Sequence, residues 1–261
     1  MTGGLNFTFQ QNNRCYGIER KVFMDRREFV KSVAAAAAFA ALPKATQAAV
    51  LQNSGKDAMM KILLVNGSPH EKGCTFTALN EIAVQLEKEG IEAEIFNIGV
   101  QPIMPCMACR ACKKLGKCVI DDKVNEFVAK AAGYDGFVFG SPVHYASASG
   151  VIVPFMDRAF YSAAPEVFRM KPAAAVVSAR RAGTTATLDQ LNKYFQISEM
   201  PVVSGRYWNM VHGNTPDEVL QDKEGLQNMR ILAKNMAYLL KCKQAAENAG
   251  ITPPERETPE H

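Results

Sequence analysis

The chain has 261 residues, 48% hydrophobic and 21% charged. That composition belongs to a globular protein and excludes both a disordered chain and a multi-span membrane protein. The net charge of +4 is local: residues 1–50 hold seven of the 30 basic and three of the 26 acidic residues, so the rest balances at 23 and 23 and gives no argument for nucleic acid.

The first predicted unit is a leader, residues 1–48. Met24 to Lys31 is a basic start, MDRREFVK, and an Ala-rich run follows from Val33 to Leu42. Small residues then lead to Ala48, a plausible cleavage position. A basic start, a ten-residue apolar segment and a small-residue end form a secretory signal pattern. The segment is too short to span a bilayer, so no transmembrane segment is expected in the mature chain. Arg26-Arg27 followed by Phe29 and Lys31 resembles a twin-arginine export signal, with Asp25 where Ser or Thr is commoner. The implied location is periplasmic. A start at Met59 or Met60 would instead leave a cytoplasmic protein.

Residues 60–243 read as one domain. Ile62 to Val65 is a short apolar run bounded by a turn at Asn66-Gly67-Ser68-Pro69, which predicts a buried parallel strand. Gly73-Cys74-Thr75 then opens an amphipathic helix, with Leu79, Ile82, Ala83 and Leu86 on one face and Gly90 ending it. Residues 91–98 alternate as a second strand. A Cys-rich loop, 102–121, follows, and Asp122 caps a helix to Ala132. Residues 135–140 predict a third strand and 151–161 a helix. Residues 172–178 predict a fourth strand, with a helix near 188–195. Pro201-Val202-Val203 reads as the start of a fifth. Asp217 reads as the cap of a final helix ending near Cys242, where the thiol would be buried. The tail, 244–261, is Pro- and Glu-bearing and expected to be disordered.

Strands alternating with helices imply a parallel sheet with right-handed crossovers, and its ligands sit beyond the carboxyl ends of the strands. The turn after the first strand ends at a helix N-terminus, where free N–H groups and the dipole favour an anion. Ser68, Thr75 and Thr77 add hydroxyls. On these residues alone the loop is either a phosphate site or an ordinary βα turn. It carries neither G-x-G-x-x-G nor G-K-[ST], which excludes the dinucleotide fingerprint and the Walker loop.

With Gly67-Ser68-Pro69 and Gly73-Cys74-Thr75 in place, the stretch resembles the phosphate loop of flavodoxin-like FMN proteins, in particular the NAD(P)H-dependent FMN reductase and iron–sulfur flavoprotein branch. Two later loops extend the likeness. Ser141-Pro142-Val143-His144-Tyr145 is similar to the second flavin loop, with His144 where Tyr is commoner. Arg180-Arg181-Ala182-Gly183-Thr184 is similar to the third. The resemblance covers residues 61–243. It implies an α/β flavodoxin-like three-layer sandwich with a five-stranded parallel sheet in order 2-1-3-4-5 and helices on both faces. It implies FMN held at its phosphate by Ser68, Pro69, Gly73, Cys74, Thr75 and Thr77. The isoalloxazine would be framed by Pro142, Val143, His144, Tyr145, Arg180, Arg181, Gly183 and Thr184. Phe155-Met156-Asp157-Arg158 resembles a structural F-x-D-R ending.

Cys106, Cys109, Cys112 and Cys118 form C-x2-C-x2-C-x5-C. Thiolates this close can converge on one metal centre. The spacing by itself admits an iron–sulfur cluster, a zinc ion, disulfides or free thiols. The family resemblance implies a [4Fe–4S] cluster. The activity it implies is NAD(P)H oxidation through FMN, with delivery to a quinone, a flavin or a protein acceptor, in a homo-oligomer. The flavin carries the hydride chemistry, so no acid–base catalytic residue is expected. The alternative is a non-enzymatic electron carrier serving a partner protein.

Overall fold

The computed structural model describes residues 59–257; the leader expected at 1–48 lies outside the described residues. Six strands and seven helices follow in order: β1 Lys61–Asn66, α1 Cys74–Lys88, β2 Glu92–Asn97, α2 Cys112–Leu115, α3 Lys123–Ala131, β3 Gly136–His144, β4 Ser147–Ala148, α4 Ile152–Ser162, β5 Ala173–Ala179, α5 Thr184–Ile197, β6 Met210–His212, α6 Pro216–Gln221 and α7 Lys223–Asn248. The parallel strands run in the order β2-β1-β3-β5-β6, the five-strand order expected from sequence. The sixth, β4, is two residues paired antiparallel to the end of β3.

Alternation along the strands divides the core. Leu63, Val65, Phe137, Phe139 and Val177 face one side with α3, α4 and α5. Ile62, Leu64, Val138, Ala174 and Val176 face the other with α1 and α7. The first core is aromatic: Phe127 lies 5.0 Å from Phe155, and Phe160 stacks at 4.4 Å on Phe168. The second is aliphatic and Ala-rich. Each fully buried large side chain contributes about 1.5–3 kcal/mol by leaving water. Two hydrophobic faces on one sheet produce the three-layer α/β sandwich.

The structure corrects several boundaries. β3 continues to His144, past its expected end at residue 140, and pairs with β4 as a tight hairpin. Val202 makes only an isolated bridge with Ala173, and the fifth parallel strand is β6, opposite Val177 to Ala179. Between them residues 204–209 leave the sheet edge. The cap expected at Asp217 is Thr215, which accepts from the Glu218 N–H. Asp222 caps α7, which runs on to Asn248. Cys242 is exposed, not buried. Beyond the helix, the Pro254 carbonyl accepts from Arg169 and Arg256 pairs with Glu199 at 3.1 Å. No helix among the described residues is long and apolar enough to cross a membrane.

Candidate functional site

The loops singled out by sequence leave the carboxyl ends of three adjacent strands, β1, β3 and β5. In the first, Asn66 is the anchor. Its side chain donates to Asn97 Oδ1 (2.9 Å) and the Glu71 carbonyl, and accepts from the Ser68 N–H. Ser68 is buried, and its Oγ accepts from the His70 N–H; Pro69 is half-buried. The hydroxyls expected to face a phosphate have internal partners. Thr75 Oγ1 pairs with Ser178 Oγ at 2.8 Å beneath the loop, and Thr77 Oγ1 donates back to the Gly73 carbonyl. The unclaimed donors are backbone ones. Gly73 caps α1 with no side-chain hydrogen bond, and among the described residues no other side chain accepts from the first-turn N–H groups of Cys74, Thr75 and Phe76.

Cys74 sits in that first turn and its Sγ donates to the Gly213 carbonyl at 3.7 Å. Burial pushes its thiol up, a backbone hydrogen bond opposes this, and the Glu218 charge reinforces it. A thiol held neutral does not repel an anion. Gly140 permits the close seat of this helix on β3: a Cβ there would lie 2.8 Å from Thr75 Cγ2.

The second loop is a tight hairpin. Tyr145 and Ala146 both take positive φ (51° and 58°), a left-handed pair with neither Gly nor Asn. His144 and Tyr145 are exposed, and Pro142 and Val143 half-buried. Gln190 of α5 fixes the hairpin through Ser147 Oγ and the Ala148 N–H. Ser149 was not anticipated, yet it joins two loops. Its Oγ donates to the Gly67 carbonyl (2.7 Å), and its N–H donates to Ser141 Oγ.

The third loop meets the second. Gly183 has φ 95°, and a Cβ there would stand 2.7 Å from Ala146 Cα. Thr184 is buried at the start of α5. Arg180 and Arg181 are exposed and make no side-chain hydrogen bond or ion pair among the described residues. They place two cationic side chains beside the strand ends.

The cysteine loop follows β2 at the same carboxyl edge of the sheet. Cys106 and Cys109 are exposed; Cys112 and Cys118 are partly buried. All four line one cavity, together with Arg158 and Ser162 of α4. Among the described residues no group of three or more Cys, His, Asp or Glu side chains is arranged to hold a metal ion, so the sulfurs share a cavity without converging. The loop is conformationally unusual. Ala108 and Arg110, flanking Cys109, have φ 52° and 57°. Such residues are costly and persist where surrounding structure enforces them.

The two ends of the loop are held by Arg158, which is 1% exposed. Its Nη1 and Nη2 hold Asp122 at 2.6 and 2.9 Å. They also donate to the Met104 and Ile120 carbonyls. Its Nε donates to Cys118 Sγ at 3.3 Å. Burial disfavours its charge, but the bonds to Asp122 and Cys118 outweigh burial and raise its pKa above the usual arginine value. Asn125 fixes the Cys118 backbone from both sides. The chemistry of this donor set fits a thiolate-bound metal centre: four thiols on one cavity, a guanidinium on one sulfur, and little competing oxygen.

Parallel strands in this order, with helices on both faces and three loops at adjacent strand ends, define the class by fold: a flavodoxin-like α/β protein. The family described as NADPH-dependent FMN reductase matches residues 60–215, and the chain belongs to that family. It is 32% identical to an iron–sulfur flavoprotein of Methanocaldococcus jannaschii, over 70% of this chain and 98% of the relative. A second iron–sulfur flavoprotein of that organism is 29% identical, over 71% and 99%. Among solved structures, RosB with bound 8-demethyl-8-formylriboflavin-5'-phosphate superposes with TM-score 0.56 at 14% identity, covering 77% of this chain and 91% of that one. A flavone reductase superposes at 0.55 and 17%, covering 72% and 65%. At those identities the structural likeness concerns the fold.

Proposed function

We propose that the protein is an FMN-dependent NAD(P)H oxidoreductase that also carries a [4Fe–4S] cluster on Cys106, Cys109, Cys112 and Cys118. The observation that carries the flavin part is the uncapped first turn of α1 at the carboxyl end of β1, flanked by the loops after β3 and β5. When bound, FMN accepts hydride and passes single electrons, and a cluster takes them one at a time. This chain's residues bind and orient. The N–H groups of Cys74, Thr75 and Phe76 receive the phosphate, helped by the helix dipole. Tyr145 offers a face to the ring. Arg180 and Arg181 attract the phosphates of a pyridine nucleotide and stabilise negative charge on the reduced ring.

The cluster part rests on four thiols lining one cavity and on the names of the two relatives. The acceptor class is a quinone, another flavin or a protein. The leader adds the proposal that the folded, loaded protein is exported through the twin-arginine route.

The test is the visible spectrum of anaerobically purified protein before and after NADPH, then NADH. Flavin bands with a broad cluster shoulder, bleached by either nucleotide, are expected. Flavin bands without the shoulder would keep the oxidoreductase and reassign the cysteines. Colourless protein that takes up no added FMN would sink the proposal.

A further inference from the structure

Helix α4 presents Arg158, Tyr161 and Ser162 to the cysteine cavity, and the bonding of the first and the last needs explaining. Arg158 and Ser162 are four residues apart, so they lie one above the other on a single face. Both line the cavity with the four cysteines. Arg158 has all five of its N–H donors engaged, one of them on Cys118 Sγ. Ser162 is 7% exposed, and its Oγ is the buried side-chain polar atom left without any hydrogen-bond partner among the described residues.

A helical serine ordinarily returns its hydroxyl to the carbonyl four residues back or turns it to solvent. Ser162 does neither. Leaving a buried hydroxyl unpaired costs about 1–3 kcal/mol. It belongs to the lining of a cavity whose other polar side chains are the four thiols, Tyr161, the exposed Arg110 and the Arg158 guanidinium, which has no hydrogen left to give.

Resting on the reading that the four cysteines hold an iron–sulfur cluster, we infer that Ser162 and Arg158 are positioning residues that set its reduction potential by donating hydrogen bonds to its sulfurs, Arg158 to Cys118 and Ser162 to a sulfur facing the cavity. Reduction adds one negative charge to the cluster. Donors and a buried cation stabilise the more negative state, so both residues raise the potential. The Arg158 charge is partly offset by Asp122, whereas the Ser162 hydroxyl is offset by nothing. Lys113 of α2 closes this side of the loop, lying 4.7 Å from the Tyr161 ring centroid.

The experiment compares the parent protein with Ser162→Ala, Ser162→Thr and Arg158→Lys after anaerobic reconstitution with iron and sulfide. The readouts are iron and sulfide content, the cluster potential from an EPR-monitored redox titration, and urea stability with and without the cluster. Ser162→Ala is expected to load as much iron as the parent and to shift the one-electron equilibrium roughly tenfold toward the oxidised form, which is 59 mV. Ser162→Thr, which keeps the hydroxyl, restores the parent potential. Arg158→Lys lowers iron content through loss of the fork. Without the cluster, Ser162→Ala is at least as stable as the parent, since it removes an unpaired hydroxyl.

An unchanged potential in fully loaded Ser162→Ala would overturn the inference and leave the cluster reading intact. So would a clear loss of cluster-free stability, which would mean the hydroxyl has a partner within the protein. A parent that takes up neither iron nor sulfide would remove the cluster reading itself, and the inference with it.

Discussion

The flavin loops and the cysteine loop lie at the same edge of one sheet but are built on opposite plans. At the flavin end the backbone is seated by close packing. Gly67, Gly140 and Gly183 each stand where a Cβ would meet neighbours at 2.6–2.8 Å. The local hydroxyls bond one another, and the groups left free are main-chain N–H donors. At the cysteine loop there is little packing. The loop is mostly exposed, holds one four-residue helix, and is secured by side chains reaching from elsewhere, Arg158 and Asn125 above all. The difference shows how each site is made ready. Under the proposed function, a phosphate site made of backbone is preformed before its ligand arrives, whereas a sulfur site on an exposed loop depends on its clasp and would be closed by the proposed cluster. Helix α4 ties the two together. Ile152 at its start packs against Gly67, and Ser162 at its end lines the cysteine cavity, about 15 Å away at the helical rise per residue.

The largest effect is expected from breaking the clasp. Asp122→Ala leaves the Arg158 guanidinium buried without its carboxylate, which costs about 3–5 kcal/mol. It also removes the cap that accepts from the Val124 N–H, about 1 kcal/mol more. Urea unfolding measures the sum. A loss under about 1 kcal/mol would mean that the cysteine loop does not depend on this pair, and the contrast with the flavin end would collapse.

The flavin end should respond to volume rather than charge. Gly183→Ala places a methyl 2.7 Å from Ala146 Cα at a residue with φ 95°. Overpacking of this kind costs about 1–3 kcal/mol. It pushes the second and third loops apart, so FMN affinity falls roughly tenfold for each 1.4 kcal/mol lost from the bound state. Fluorescence titration of the flavin-free variant reads the affinity, and iron uptake reads the other site. Coupled loss of iron binding would show that the two loops are not independent.

The parts visible in the sequence are those with local signals. Ile62 to Val65, Phe137 to Phe139 and Ala173 to Ser178 are apolar runs long enough to mark buried strands. Asp122 is a capping residue followed by a helical pattern. What escaped depends on distant partners. Pro201-Val202-Val203 has strand chemistry, but the chain leaves the edge at Ser204 because buried Asn228 of α7 binds the backbone of Arg206, Tyr207 and Trp208. The three-residue β6 has no room for a periodic pattern. The hairpin turn at Tyr145-Ala146 lacks the Asn-Gly or Asp-Gly pair that signals one. Arg158, read from sequence as a structural helix ending, proved to be the residue on which the cysteine loop hangs. None of its five bonds is local in sequence.

The smallest effect on stability, and the sharpest on ligand, belongs to Tyr145. Its side chain is wholly exposed, and no hydrogen bond of its hydroxyl occurs among the described residues. Tyr145→Ala keeps the backbone conformation available to a non-glycine residue, so stability should stay within about 0.5 kcal/mol of the parent. If the ring meets the flavin, removing it forfeits about 0.5–1.5 kcal/mol of aromatic contact. That corresponds to FMN binding weaker by roughly two- to tenfold. An aromatic held out in solvent by a strained hairpin is otherwise unexplained. A variant with unchanged affinity and unchanged stability would leave the hairpin's left-handed pair serving the loop contact at Gly183 alone, and would move the ring-facing role to the cations of the third loop.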